Sequence, residues 1–264
     1  MCQGMGMADE LVHYTTATGV ATITLDSPHN RNALSAPLRA QLAASLDRAI
    51  DDDTVRVIVL DHTGPVFCAG MDLKEAKGAH AGQQGVNDFP ALLQRLWTSP
   101  KPVIAKLAGP ARAGGVGLVA AADIAVAVED ATFAFTEVRI GVVPAVISVT
   151  VLPRIGARAA HELFLTGEVF DARRAAEIGL LNAAVPADEL DATVERYVFS
   201  LSLGAPTALA ATKELLQGET ARTMPETFEK MQALSAQFFA GEEGQEGIAA
   251  FTETRLPNWV PERS

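Results

Sequence analysis

The sequence predicts an α/β protein with a helical C-terminal segment. Three observations carry this. Short, continuous apolar runs of strand length recur at residues 55–60, 102–107 and 124–128, the pattern of strands buried on both faces. Stretches of helical periodicity or helix-type punctuation separate them, so the chain reads as strand–helix units. From about residue 187 to residue 251 helical patterning runs on with few breaks.

Taken in order, residues 12–16 and 20–25 alternate β-branched and polar residues around Gly19, which predicts a β-hairpin. Residues 27–32, Ser-Pro-His-Asn-Arg-Asn, form a loop of turn formers. Ser35 is placed to cap a helix reaching about Ile50, with Leu38, Leu42, Leu46 and Ile50 four apart. Residues 55–60 form a buried strand that ends in the loop Phe67-Cys68-Ala69-Gly70, and a helix is expected from Met71. Residues 78–85 are small and polar and predict a loop, and residues 86–98 a helix. A strand at 102–107 leads to a helix of small residues from Gly114 to Ala122, and short strands follow at 124–128 and 132–135. Asp171 caps a helix through Glu177 that stops at Gly179. In the tail, breaks are expected near Gly204–Pro206, Met224–Pro225 and Gly241.

With 264 residues, 48% of them hydrophobic and 20% charged, the chain can form one large domain, alone or with a small appendage, and bury its core without staples. A net charge of −11 argues against nucleic acid or an anionic membrane as partner, since both demand clustered Lys and Arg. No run of apolar residues has the length of a membrane span, and residues 1–10 lack the pattern of a secretory signal, so a cytoplasmic location is expected. Neither the two cysteines, Cys2 and Cys68, nor the five histidines have metal-ligand spacing, and no metal is expected.

Two segments carry the chemistry. Residues 67–75, Phe-Cys-Ala-Gly-Met-Asp-Leu-Lys-Glu, and residues 109–118, Gly-Pro-Ala-Arg-Ala-Gly-Gly-Val-Gly-Leu, share one plan of strand, glycine turn and helix start. Such turns leave backbone N–H groups unpaired. Two of them aimed at one oxygen make an oxyanion hole. A rival reading takes Gly115-x-Gly117-x-x-Ala120, with Glu137 as the ribose acid, for a dinucleotide fingerprint, but its glycines begin well after the strand ends near Leu107.

Over residues 12–251 the chain resembles the enoyl-CoA hydratase/isomerase (crotonase) family. The resemblance rests on Asn30-Arg31-Asn32-Ala33-Leu34, Phe67-Cys68-Ala69-Gly70-Met71-Asp72-Leu73, Ala113-Gly114-Gly115-Val116-Gly117-Leu118, Ala122-Asp123-Ile124 and Phe133-Ala134-Phe135-Thr136-Glu137. Gly141-Val142-Val143-Pro144, Leu165-Thr166-Gly167-Glu168 and Ala176-Glu177-Ile178-Gly179-Leu180 complete it. It implies a crotonase-like spiral of ββα units and a helical region for trimerisation. On that reading residues 1–10 are a disordered extension, 11–200 the spiral core and 201–264 the oligomerisation region of a homotrimer or dimer of trimers. It implies acyl-CoA thioester substrates, with coenzyme A as part of the substrate and no separate cofactor. Matched by position, the oxyanion donors are the N–H groups of Met71 and Gly114. Ala69, Met71, Asp72, Leu73, Lys74 and Gly114 line the CoA path.

The resemblance also exposes a departure. Simple hydratases of the family carry two glutamates, and here the first position is Gly117 while the second is Glu137. Apolar neighbours, among them Phe133, Phe135, Val138 and Ile140, predict a raised pKa for Glu137. One carboxylate suits either hydration of a 2,3 double bond or 3,2-enoyl isomerisation. Gly114-Gly115-Val116-Gly117-Leu118 with Pro144-Ala145-Val146-Ile147-Ser148 is similar to bacterial hydratases of the methylglutaconyl-CoA type, which ranks hydration first. A non-catalytic acyl-CoA-binding protein is the third reading. Asp72, Glu75 and Glu129 are candidate second acids. Arg112 is a candidate for a substrate carboxylate, and Arg31, Lys74, Lys101 and His29 for the CoA phosphates. Cys68 reads as a small buried hydrophobe. Acyl chain length and branching, and trimer against hexamer, are not set by these residues.

Overall fold

The computed structural model describes residues 9–75 and 88–261. The expected extension falls mostly outside them, and the loop expected at 78–85 entirely so. The hairpin is β1 (Val12–Ala17) and β2 (Val20–Leu25), paired antiparallel through a turn in which Thr18 and Gly19 both have positive φ, 48° and 81°. That turn matches the right-handed twist of its strands. Next comes α1 (Ala36–Asp51), with Ser35 Oγ accepting from Leu38 N as the cap. Leu38, Leu42 and Leu46 on one face of α1 are fully buried. Then follow β3 (Val57–His62), α2 (Phe89–Thr98), β4 (Val103–Leu107), β5 (Ala111–Arg112), α3 (Gly114–Ala121), β6 (Ile124–Val128) and β7 (Thr132–Ala134). After them come α4 (Ala145–Val151), α5 (Ala157–Thr166), β8 (Phe170–Asp171), α6 (Ala172–Glu177), β9 (Ala183–Val185), α7 (Leu190–Ser202), α8 (Pro206–Ala240) and α9 (Glu242–Glu253).

Six strands make the main sheet, in the order β1-β2-β3-β4-β6-β9, parallel from β2 onward. The apolar runs read from the sequence are its buried centre, since Ile58, Val103, Ile104 and Val126 are fully buried. A second sheet, β5-β7-β8, pairs Ala111 with Phe133 and Phe133 with Phe170. It carries the Phe133, Phe135, Phe164 and Phe170 cluster, with Phe135 and Phe164 ring centroids 4.4 Å apart.

Two expectations need correction. No helix begins at Met71 within the described residues: Asp72 Oδ1 accepts from Lys74 N at 3.0 Å, and the segment up to Glu75 is a turn. The break expected at Met224–Pro225 lies instead at Gly218, whose φ of 45° and ψ of −126° bend α8. Pro225 remains inside the helix, because its fixed φ is helical and it forfeits one i→i−4 bond. Before the bend, Lys213 Nζ donates to Asp123 Oδ2 at 2.6 Å and Gln217 Nε2 to Trp97 O, which ties α8 to the core. α8 packs on α2 and α4 and hands the chain to α9.

Candidate active site

Two loops are pressed together where the strands of the two sheets end. Asn32, fully buried, accepts from Ser27 N at 2.6 Å and donates to Thr63 O and Val66 O at 3.0 and 2.8 Å. Leu34 N donates to Gly70 O at 2.8 Å and Ala69 N to Arg31 O at 3.0 Å, so residues 69–71 run as a fixed edge. Against it lies the start of α3. A Cβ on Gly70 would sit 3.3 Å from Gly114 N, and one on Gly115 only 2.5 Å from Cys68 O. Glycine at both places is what lets the backbones meet. Between them Ala113 is held at φ 47° and ψ −118°, a region that L side chains rarely adopt. This strained residue turns the Gly114 amide to the first position of α3, where no intrahelical acceptor exists. Neither the Met71 nor the Gly114 amide finds a backbone acceptor among the described residues.

Both residues line a cavity of about 430 Å³. Glu137 lines it too, on a 3₁₀ turn at Glu137–Ile140 held by Val142 N donating to Glu137 O at 3.0 Å. Glu137 as a residue is half-buried, but its Oε2 is buried with no hydrogen-bond partner. Burial pushes the carboxyl up to about 7. The tail closes the cavity, with Ser235 and Phe239 from α8, Gly247 and Phe251 from α9, and Arg255 and Pro257 beyond it. The chemical content is two unpaired donors and one proton-holding carboxyl around an apolar space.

Of the residues read from the sequence, Arg31, Ala69, Met71, Leu73, Gly114 and Glu137 line this cavity, and Asp72 and Lys74 do not. Asp72 holds its own turn and accepts from Asn30 Nδ2 at 3.4 Å. The other candidate second acids are also absent from the lining: Glu75 accepts from Ala36 N at the start of α1, and Glu129 sits exposed in a turn. Lys101 is spent on Ala49 O and Asp52 O at the end of α1, far from any phosphate role. The His29 ring, through Nδ1, lies 3.5 Å from Ser27 Oγ. Arg112 lines the cavity while its NH groups hold Ala111 O, Thr132 O and Thr132 Oγ1. The Cys68 thiol is fully buried and pushed up to about 12, so it is no nucleophile. The dinucleotide reading fails because β5 intervenes between β4 and α3. Among the described residues no group of three His, Cys, Asp or Glu side chains is placed to hold a metal, and no helix is long and apolar enough to cross a membrane.

The family model of enoyl-CoA hydratase/isomerase matches residues 15–262. The chain belongs to the enoyl-CoA hydratase/isomerase family. It is an enzyme of the crotonase fold, in a family that acts on acyl-CoA thioesters. It is similar to a solved enoyl-CoA hydratase from Mycobacterium avium, at 46% identity and a TM-score of 0.88, covering 96% of this chain and 100% of that one. It is 32% identical to the carnitinyl-CoA dehydratase of Proteus mirabilis over 94% of this chain and 97% of the relative. A solved methylmalonyl-CoA decarboxylase is 27% identical with a TM-score of 0.81, covering 97% of this chain and 100% of that one.

Sequence reasoning did not place the tail residues over the cavity, and it met Ile147 only as part of a motif, with no role of its own. One signal was present: Gly241, Gly244 and Gly247 recur three apart, which marks a helix face meant for close backbone approach.

Proposed function

We propose that the chain is an enoyl-CoA hydratase in which Met71 N–H and Gly114 N–H bind the thioester oxygen and Glu137 moves the proton. The observation that carries this is the Glu137 carboxyl, its buried Oε2 without a hydrogen-bond partner and its pKa pushed up by burial to about 7, in one cavity with two acceptor-free amides. In hydration the Glu137 carboxylate takes a water proton as the water oxygen bonds the β-carbon. The electron pair moves to the thioester oxygen, where the two amides stabilise it. As the enolate collapses, the α-carbon takes that proton back from Glu137. One water is added and the carboxylate is restored. Arg31, Ala69, Asp72, Leu73 and Lys74 are assigned to the CoA path on the same reading.

A second reading, 3,2-enoyl isomerisation, is favoured by Gly117, which offers no second acid to hold the water. There Glu137 takes a proton from C2 and returns it at C4, with no atom gained or lost. A spectrophotometric screen of crotonyl-, 3-enoyl-, 2,4-dienoyl- and methylglutaconyl-CoA tests the proposal. Hydration of at least one 2-enoyl substrate is expected, and turnover of the 3-enoyl substrate alone selects isomerisation. Turnover of none refutes both. The proposal includes a cytoplasmic homotrimer or dimer of trimers, to be checked by cell fractionation and sedimentation. Exposed Phe199 on α7, Leu203 just after it, and Leu215 and Leu216 on α8 offer apolar surface for such contacts.

A further inference from the structure

Gly117 sits in the middle of α3, and what it faces is specific. A Cβ there would lie 2.8 Å from Ile147 Cγ2 and 3.3 Å from Ile147 Cβ, with Leu93 Cδ1 at 3.6 Å. Ile147 belongs to α4, is 3% exposed, and lines the same cavity as Glu137 and Gly114. A β-branched side chain on a helix is confined at χ1, so Ile147 cannot swing aside to admit a larger neighbour. Thr150, three residues on, has Oγ1 3.2 Å from both Gly117 O and Ile147 O and can donate its one proton to either, which puts a hydroxyl at the contact of the two helices. Where Gly117 leaves room, the cavity wall is therefore the branched hydrocarbon of Ile147.

We propose that Ile147 is a specificity-determining residue, an apolar plug that fills the volume left beside Gly117, keeps water from that side of the cavity, and thereby limits how far water addition outruns 1,3-proton transfer. The inference rests on the acyl-CoA proton chemistry proposed above. Both reactions pass through the same enolate and the same Glu137 proton. They differ in whether a water oxygen is present to bond the β-carbon. Shortening Ile147 makes room for that water without touching the two amides or Glu137.

The test uses the full chain with a 2-enoyl-CoA and a 3-enoyl-CoA of equal length, and reads the ratio of kcat/KM for hydration to kcat/KM for isomerisation. Wild type, Ile147→Val and Ile147→Ala are compared. The ratio should rise in that order, reaching about tenfold in Ile147→Ala, modest beside the roughly 10²–10⁴ that a positioned acid or base contributes. An unchanged ratio, or loss of both reactions from a variant that still melts cooperatively, overturns the proposal. A second readout needs no substrate. Gly117→Ala should lower the melting temperature in the wild-type background by clearly more than in Ile147→Ala. Equal losses would show that Ile147 does not hold that volume. A wild type that runs neither reaction would refute the function proposed above, and the melting cycle would still decide the plug.

Discussion

Among the described residues that line the cavity, Glu137 supplies the one side-chain acid, and its burial sets two opposed expectations. Glu137→Gln keeps the shape and removes the proton carrier, so turnover should fall by at least ~10². In the wild type the carboxylate is the base, so kcat should climb with pH through about 7. Stability runs the other way. The folded value of about 7 lies above the ordinary 4.5, so between those values the native state holds a proton that the unfolded chain has released. Stability therefore falls as pH rises through that window, by on the order of 3 kcal/mol once pH exceeds the folded value. Glu137→Gln should melt above wild type at pH 8 and match it below about pH 4.5, which calorimetry at the two pH values checks. Asn32 acts by structure alone. Its three bonds join the loop after β2 to the loop after β3, and Asn32→Ala should cost on the order of 3 kcal/mol in urea unfolding by stranding Ser27 N and two carbonyls. The two glycine turns and an acid among apolar residues were legible in the sequence as local signals, whereas the choice of Met71 and Gly114 within those turns came only from the family resemblance. Lys101 was not legible, because its ammonium is committed to carbonyls that the fold, rather than the spacing, brings to it.

At the scale of elements, the turn that carries Glu137 is held from outside the core. A Cβ on Gly141 would lie 2.4 Å from Glu243 O, and one on Gly247 2.2 Å from Ile140 O. The start of α9 thus lies backbone to backbone on the Glu137–Ile140 turn, and a methyl group between them must move one or the other. Gly247→Ala should cost about 1–3 kcal/mol by overpacking and reduce kcat more than it raises KM, since it displaces the proton carrier and spares the amides. Thermal melts paired with steady-state kinetics decide this, and unaltered kcat in a destabilised protein would show that α9 only packs. In the main sheet β3, β4 and β6 were legible as apolar runs and β1 and β2 as an alternating hairpin, while β9 was not read; α1 and α6 were legible by their Ser35 and Asp171 caps. β5 and β8, of two residues each, carry no periodicity that a sequence could display, and exist because the second sheet pairs them. The bend in α8 falls at Gly218 because a residue without a Cβ takes a positive φ at little cost.

For the whole molecule, the question is how a tail that begins at Pro206 comes to lie over a cavity built by residues 31–147. The first half of α8 is fastened by a buried ion pair. Lys213, 7% exposed, reaches Asp123, whose Oδ2 also accepts from Val103 N at 2.8 Å. Burial pushes Asp123 up and Lys213 down, while their mutual attraction opposes both shifts. Arg154 stacks on Trp97 at 4.3 Å beside them, and Gln217 holds Trp97 O. Only with this half fixed can the Gly218 bend aim the second half, with Ser235 and Phe239, at the cavity. Lys213→Met strands a buried carboxylate and should cost about 3–5 kcal/mol, whereas Lys213→Met with Asp123→Asn removes both charges and should recover most of that. Urea unfolding of the four proteins of this cycle measures the coupling. The same variants carry a functional reading: if the anchor aims the tail, the single variant should lose kcat and the double variant regain it, although neither residue touches the cavity. Recovery of stability without recovery of kcat would show that the charges themselves, and not the docking of α8, tune the site.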